Sequence, residues 1–182
     1  MAADLGWMAL QWPGMEHVIV SDEVSGITAA GHVVLANTGL VTVAYRLTCD
    51  AGWHFRRLTI DVAGAGHSLT LANEEEGWLA NGVPRPDLAG CIDIDINCTP
   101  LTNTLPIRRL DWSGGATHDI DVAYLSVPEL EVRKVRQRYT RLDPGRFRYE
   151  SGSFRRDLSV DDSGFVLDYP GFWRRLCAEV AR

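Results

Sequence analysis

The chain has 182 residues, of which 46% are hydrophobic and 23% are charged. This length and composition are typical of one globular domain with a sizeable core, so a single domain over residues 1–182 is predicted. The net charge of -6 argues against nucleic acid as the partner, because phosphate binding requires a concentrated positive field.

The cysteines and the N-terminal stretch indicate the cellular setting. Cys49, Cys91, Cys98 and Cys177 form no CxxC pair and do not combine with histidine at zinc spacing, so we expect no metal site and no cofactor. The first residues lack the basic start and the apolar run of a signal peptide, and no segment is long enough to cross a membrane as a helix. We therefore expect a cytoplasmic protein with free thiols and no integral membrane segment, and its oligomeric state stays open.

Short alternating segments, separated by turn signals, follow one another along most of the chain. Residues 40–50 are a clear example, with Val43, Tyr45 and Leu47 on one face and Ala44 and Arg46 on the other. Turn signals recur about every 8–12 residues, a spacing expected of an all-β barrel or sandwich. Connections this short predict an antiparallel meander of on the order of ten strands.

The central stretch, residues 90–110, combines a strand with a polar loop. The strand alternates strictly, so Asp93, Asp95 and Asn97 share one face while Ile92, Ile94 and Ile96 share the other. A polar loop bounded by Pro100 and Pro106 follows, and the two prolines make it stiff. Arg108 and Arg109 come directly after this loop.

The carboxyl groups of Asp93 and Asp95 are close enough on one strand face to act together. With Asn97 they could hold a hard divalent cation, or they could divide into acid and base roles. The alternative is an ion-pair network in which Arg46, Arg108 or Arg109 neutralises the row from neighbouring strands. We favour the ion pairs, because a paired charge avoids the desolvation penalty.

The loop after the strand carries neutral donors and acceptors, among them Thr102 and Asn103. Such groups could bind sugar hydroxyls or a polar head group. Self-capping of the loop by its own threonine and asparagine side chains explains them equally well.

The last third of the chain contains a cluster of arginines and a change of period. Arg133, Arg136, Arg138 and other arginines up to residue 156 alternate as on the solvated face of strands. Residues 170–182 place Phe172, Trp173, Leu176 and Val180 at helical spacing after a proline, which predicts a short C-terminal helix over one face of the sheet.

Two runs in the central stretch, GCIDID at residues 90–95 and TPLTNTLPIRRL at residues 99–110, resemble the signature of the bacterial putative glycolipid-binding family. Further matching segments lie at residues 137–140, 149–151 and 164–170, so the resemblance covers nearly the whole chain. It implies a long antiparallel meander curled into a half-open barrel, similar to bacterial lipoprotein carriers. It also implies a glycolipid or fatty-acyl compound held in the concavity, and it brings no catalytic residues.

These observations predict an all-β domain with a short C-terminal helix, whose curled sheet binds an amphipathic small molecule without catalysis. One alternative is a hydrolase that uses the Asp93/Asp95 pair, and another is a protein-interaction module that docks through a sheet edge or the arginine-rich third. The predicted ligand-binding residues are Asp93, Asp95, Asn97, Thr102, Asn103, Arg108, Arg109 and Arg46.

Overall fold

Fifteen strands of the computed structural model form one continuous sheet. The structure describes residues 2–37, 39–64, 66–114 and 116–180, the last four of these for their backbone only. The strands of the first half are β1 (Ala2–Ala9), β2 (Gly14–Glu23), β3 (Gly26–Ala36), β4 (Leu40–Cys49), β5 (Phe55–Val62), β6 (His67–Glu74), β7 (Gly77–Ala80) and β8 (Val83–Pro84). Those of the second half are β9 (Asp93–Ile96), β10 (Thr117–Ser126), β11 (Glu131–Asp143), β12 (Arg146–Ser151), β13 (Phe154–Val160), β14 (Val166–Tyr169) and β15 (Trp173–Val180).

The strand order confirms an antiparallel meander over most of the sheet. It runs β8-β7-β6-β5-β4-β3-β2-β1-β15-β14-β13-β12-β11-β10-β9, so that β1 and β15 meet in the middle. The sheet is not closed, because β8 and β9 are its two edges. One pairing departs from the prediction: β9 runs parallel to β10, with Asp95 opposite Tyr124.

The sheet curls until its two edges approach each other. The indole Nε1 of Trp78 on β7 donates to the carbonyl of Cys91, just before β9, at 2.9 Å. Arg85, which follows β8, donates to the carbonyl of Val132 on β11 at 2.7 Å. Because these partners lie at opposite ends of the strand order, the sheet is a half-open barrel, as the resemblance implied.

Alternation of buried and exposed residues explains the strands. On β4, Val43, Tyr45 and Leu47 are buried, and Arg46 between them is exposed. Ile92, expected to share a face with Ile94 and Ile96, precedes β9 and is 42% exposed. The strand itself has only four residues.

The predicted C-terminal helix is wrong. Residues 173–180 form β15, which pairs antiparallel with β1 from Ala9↔Trp173 to Ala3↔Val180. The spacing of the apolar residues there fits a helix, but β1 needs a hydrogen-bonding partner on the side away from β2. β15 supplies that partner, and Trp173 becomes part of the core at 2% exposure.

The predicted polar loop is also a different structure. A 3₁₀ turn at Leu101–Asn103 leads into a single-turn helix, α1 (Thr104–Arg109). Pro106 fits there because the first backbone N–H groups of a helix have no partner within the helix. Every residue from Cys98 to Ile107 is buried, so this segment crosses the interior of the barrel.

Two hydrophobic clusters pack on opposite faces of the β9–β10 edge. Ile94, Ala123 and Leu125 belong to the cluster formed with the first half of the sheet. Val122 belongs to a second cluster formed with β11 to β14. One face of the β9 edge therefore packs against the inner face of the first half of the sheet. The interior segment fills much of the space that is left inside the barrel. In the part of the chain that the structure describes, no helix has the length and apolar character needed to cross a membrane.

Candidate functional site

The interior segment, residues 98–109, fixes the two halves of the sheet to each other. Thr99 Oγ1 donates to Glu16 Oε2 on β2 at 2.7 Å. Asn103 Nδ2 donates to the Tyr139 hydroxyl on β11 at 2.8 Å. These side chains are buried and hydrogen-bonded to other strands, so part of the predicted polar loop connects the two halves of the sheet inside the barrel.

Asp93 forms a buried ion pair with Arg109. The guanidinium reaches both carboxylate oxygens, with Nε 3.1 Å from Oδ1 and the second nitrogen bonded to Oδ2. The side chains are 1% and 10% exposed. This two-point contact satisfies both charges inside the fold, in agreement with the ion-pair interpretation of the row.

Asp95 lies two residues further on and meets neutral partners. Gln137 Nε2 donates to its Oδ2 at 2.6 Å, and Thr102 Oγ1 donates to its Oδ1 at 3.2 Å. The Tyr149 hydroxyl approaches the same Oδ2 at 3.4 Å. Burial raises the pKa of Asp95, although these hydrogen bonds oppose the rise. Asp95 is a partly exposed residue, and it lines a pocket.

This pocket, called here the aromatic pocket, has a volume of about 300 Å³. It opens between the second half of the sheet and the start of the interior segment. Aromatic rings dominate its wall, and a few polar groups converge on it. The rings are those of Trp12, Tyr124, Tyr149, Phe154, Tyr169, Phe172 and Trp173, and the polar lining residues are Asp95, Asn97, Thr99, Asn103, Arg133 and Ser151.

The rings of the aromatic pocket support one another. Phe154 contacts Tyr149 at a centroid distance of 5.9 Å and Phe172 at 5.4 Å, both edge-on. Tyr169 lies 5.2 Å from Phe172. Edge-to-face contacts of this kind fix ring orientation, so the wall is formed before any ligand arrives.

The floor of the aromatic pocket is closed by hydrogen bonds. Gln137 Nε2, which donates to Asp95, also bonds to the Tyr149 hydroxyl at 3.0 Å. Tyr139 packs against Tyr149 at 5.2 Å and accepts from Asn103. Beyond this layer, at the other end of β11–β13, a more open depression of about 500 Å³ includes Arg141 and Phe147. The layer separates the two spaces.

The eight predicted site residues do not all meet. Asp95, Asn97 and Asn103 line the aromatic pocket, and Thr102 supports Asp95 from behind. Asn97 uses its amide to bond Val127, accepting from the backbone N–H at 3.0 Å. Asp93 and Arg109 pair with each other.

The other two predicted residues lie elsewhere. Arg108 stacks over Trp53 at 5.0 Å and donates to the Ser163 carbonyl at 3.2 Å, near the opposite end of the interior. Arg46 is exposed on the outer face of β4, opposite to Tyr45, so the expectation that it neutralises the carboxyl row is not met.

Tyr124 and Arg133 are among the pocket residues that the sequence analysis did not predict. Tyr124 on β10 stands opposite Asp95 in the parallel pairing and opposite Arg133 in the antiparallel pairing with β11. The guanidinium of Arg133 stacks over the Tyr124 ring at 4.9 Å. A carboxyl, a phenol and a guanidinium thus form a row across three strands on the pocket side. The alternation of residues along β10 and β11 could be predicted from the sequence. The parallel pairing of β9 with β10, which aligns these three side chains, could not.

A second missed group is Glu16 on β2, which is fully buried. Its carboxyl accepts from the Tyr45 hydroxyl at 2.6 Å and from Thr99 at 2.7 Å. Burial raises the pKa of Glu16 to about 7, while the two hydrogen bonds oppose the rise. Glu16 lies on the same face of β2 as Val18 and Val20, which are also buried. This alternation could have indicated that the Glu16 side chain points inward.

Most of the arginine-rich third is neutralised on the outside of the sheet. Arg138 pairs with Asp119 at 2.7 Å, and Arg148 pairs with Asp157 at 2.7 Å. Arg136, Arg146 and Arg155 also pair with carboxylates. Among the described residues, no group of three or more histidine, cysteine, aspartate or glutamate side chains is placed to hold a metal ion.

Comparison with known proteins adds the family context. The family model described as "Putative glycolipid-binding" matches residues 4–175. Among solved structures, the crystal structure of a DUF1089 family protein from Pseudomonas aeruginosa is similar to this chain, with 36% identity and a TM-score of 0.81. The similarity covers 90% of this chain and 92% of that one. No curated protein matches the chain.

Proposed function

Since the chain belongs to the family described as "Putative glycolipid-binding", we propose that it binds a glycolipid or a related amphipathic molecule without transforming it. The polar head of that molecule enters the aromatic pocket. The observation that carries this proposal is a pre-formed, ring-lined pocket with a small number of convergent polar groups, the usual composition of a small-molecule site.

The size of the pocket decides which part of the ligand it takes. Its volume of about 300 Å³ is at the lower end of the range for ligand pockets, roughly 300–1,000 Å³. The interior segment occupies the space that a larger carrier would leave for acyl chains, and the Tyr139–Tyr149 layer closes the floor. A compact head therefore fits, and the apolar chain lies outside the barrel.

The chemistry of the wall suits a sugar ring. The aromatic rings that line the pocket offer apolar surface, which can pack against the C–H groups of a pyranose. Asp95, which already accepts hydrogen bonds from Gln137 and Thr102, presents oxygen atoms with further acceptor capacity to ligand hydroxyls.

The test is retention of a bacterial lipid by the purified protein. The protein is incubated with a bacterial lipid extract, desalted and measured by native mass spectrometry, with fragmentation to identify the bound species. Ser151, which lines the pocket, is replaced by Trp to fill it, and Ser153, exposed in the following turn, is replaced by Trp as the matched control.

We expect wild type and Ser153→Trp to retain the same lipid and Ser151→Trp to lose it, with both variants melting cooperatively. Retention by Ser151→Trp equal to wild type would place the ligand elsewhere. Absence of any bound lipid in wild type, over several extracts, would contradict the proposal.

A hydrolase is the second candidate, because burial raises the pKa of Asp95 and a carboxyl group with a raised pKa in an aromatic pocket is a candidate general acid. Glycoside hydrolysis uses two carboxyl groups, whereas Asp95 is the one carboxyl among the described lining residues. The partner expected from the sequence, Asp93, is paired with Arg109. Release of free sugar from a bound glycolipid by wild type, and its loss in Asp95→Asn, would favour this candidate over binding alone.

The protein-interaction alternative has less support. The two sheet edges are short, with two residues in β8 and four in β9, and most outer arginines already pair with carboxylates. Replacement of Arg133, Arg136 and Arg138 by Glu, followed by pull-down, tests it. As part of the proposal we retain a bacterial, cytoplasmic setting, which the free buried thiols of Cys49, Cys91 and Cys98 support.

A further inference from the structure

Arg133 is the member of the arginine cluster at residues 133–156 that lines the aromatic pocket. Five others of this cluster pair with carboxylates, and Arg141 donates to a backbone carbonyl. Arg156 donates to backbone carbonyls and lies over the Phe154 and Phe172 rings. Arg133 stacks on Tyr124, and among the described residues no carboxylate forms an ion pair with it.

The nearest carboxyl group on the same face is committed elsewhere. Asp95 lies two strands from Arg133, a separation of about 10 Å at the usual spacing of strands. Its oxygens accept from Gln137, which lies on the same strand as Arg133, and from Thr102 of the interior segment. The pocket therefore holds a guanidinium at one end and a hydrogen-bond acceptor at the other, with the Tyr124 ring between them.

We propose that the head group bound in the aromatic pocket is a single hydroxylated ring that carries one negative charge, which pairs with Arg133. This inference rests on the proposed function and specifies the ligand class of the same site. The acid group contacts the guanidinium, the ring packs near Tyr124, and hydroxyl groups on the far side of the ring donate to Asp95.

The placement of Arg133 suits this role. Its guanidinium carbon lies 4.9 Å from the centre of the Tyr124 ring, and a cation–π contact leaves guanidinium N–H groups available for a carboxylate or a phosphate. A charge-assisted hydrogen bond of this type corresponds to roughly tenfold to hundredfold in affinity. A neutral sugar of the same shape does not form this hydrogen bond and should therefore bind more weakly.

Matched soluble probes test the charge preference without interference from lipid micelles. Methyl β-D-glucuronide is compared with methyl β-D-glucoside, and myo-inositol 1-phosphate is compared with myo-inositol. Dissociation constants are measured by ligand-observed NMR titration. The two pairs distinguish a carboxylate from a phosphate as the source of the charge.

The variants are Arg133→Gln and Arg136→Gln. Arg136 is on the same strand, exposed on the opposite face and paired with Asp121, so its variant is the matched control for net charge. For wild type and Arg136→Gln we expect the charged member of at least one pair to bind about tenfold or more tightly than the neutral member. For Arg133→Gln we expect the two members to bind equally.

Equal binding of charged and neutral probes by wild type, or an unchanged preference in Arg133→Gln, would overturn the inference. If wild type still retains lipid in the native mass spectra and Ser151→Trp does not, the proposed function stands and only the charge preference is wrong. If neither the probes nor any lipid bind, the proposed function fails as well.

Discussion

The hydroxyl of Tyr45 donates to the buried carboxyl of Glu16 at 2.6 Å, across the intervening strand β3. At this point β3 carries Gly31, which stands opposite Tyr45 in the register. Thr99 of the interior segment binds the other oxygen of the same carboxyl. Glu16 therefore links the first half of the sheet to the segment that fills the barrel and lines the aromatic pocket.

Protonation of Glu16 makes stability depend on pH. The pKa of Glu16 rises from an ordinary 4.5 to about 7 in the folded protein. Between these values the folded state binds more protons than the unfolded state, so the free energy of unfolding falls as pH rises from about 4.5 to 7. A shift of this size corresponds to about 3 kcal/mol.

Glu16→Gln removes this dependence while retaining the hydrogen-bonding shape. We expect urea unfolding at pH 5 to 8 to show a flatter profile for the variant than for wild type. A shallower slope of the same sign remains, because the pKa of Asp95 is also raised. Glu74→Gln, at an exposed position on β6, is the control and should follow wild type. A Glu16→Gln profile that superimposes on wild type would contradict the assignment.

Thr99→Val tests the other side of the same link. The Thr99 hydrogen bond favours the charged form of Glu16 and so lowers its pKa. Its removal should raise the folded-state pKa of Glu16, so that the fall in stability, which still begins near pH 4.5, extends to a higher pH than in wild type. The variant should also be less stable at every pH, because the backbone N–H of Leu101 loses its bond to Thr99 Oγ1 at 3.0 Å. A fall in stability that ends at the same or a lower pH than in wild type would show that Thr99 does not stabilise the carboxylate.

Gly31 is required by the position of the Tyr45 ring. A Cβ atom added at Gly31 would clash with that ring, whereas one added at Gly39 would meet nothing within 4 Å. Gly31→Ala should therefore destabilise the protein by roughly 1–3 kcal/mol, the usual cost of overpacking in a core. Thermal or urea unfolding checks this against Gly39→Ala as control. Equal stability of the two variants would mean that Tyr45 moves aside at no cost.

The strands could be predicted because their signal is local. On β4, each apolar residue from Val43 to Cys49 that is buried alternates with a polar or small one that is less buried. The C-terminal segment could not be assigned in this way, because the spacing of Phe172, Trp173 and Leu176 satisfies a helix. Its structure depends on β1, about 170 residues earlier in the sequence, which pairs with it.

The candidate site was predictable in part for the same reason. Asp95 and Asn97 followed from the alternation of one strand, and Asn103 from its place in the polar run. Tyr124 and Arg133 join them only because β9 pairs in parallel with β10, which no short turn signals. The burial of the interior segment was not predicted, because threonine and asparagine occur both in exposed loops and in buried, hydrogen-bonded segments. The sequence alone does not distinguish the two cases.

The ion pair between Asp93 and Arg109 supports the interior segment at its end. With side chains 1% and 10% exposed, removal of one partner leaves a charge without compensation inside the protein. Arg109→Met should lower the free energy of unfolding by about 3–5 kcal/mol. Replacement of both residues, as Asp93→Leu with Arg109→Met, should recover most of that loss, because no buried charge remains. Urea unfolding of the two single variants and the double variant gives the coupling between the two residues.

The control for this cycle is Arg138→Met on the outer face of β11. Arg138 also makes a two-point contact with a carboxylate, that of Asp119, with distances of 2.7 and 2.9 Å. Its guanidinium is exposed, so water and salt compensate for the lost partner and stability should change little. A loss in Arg138→Met as large as that in Arg109→Met would show that burial does not distinguish the two pairs. A double variant no more stable than Arg109→Met would show that the loss arises from packing of the guanidinium and not from an uncompensated charge.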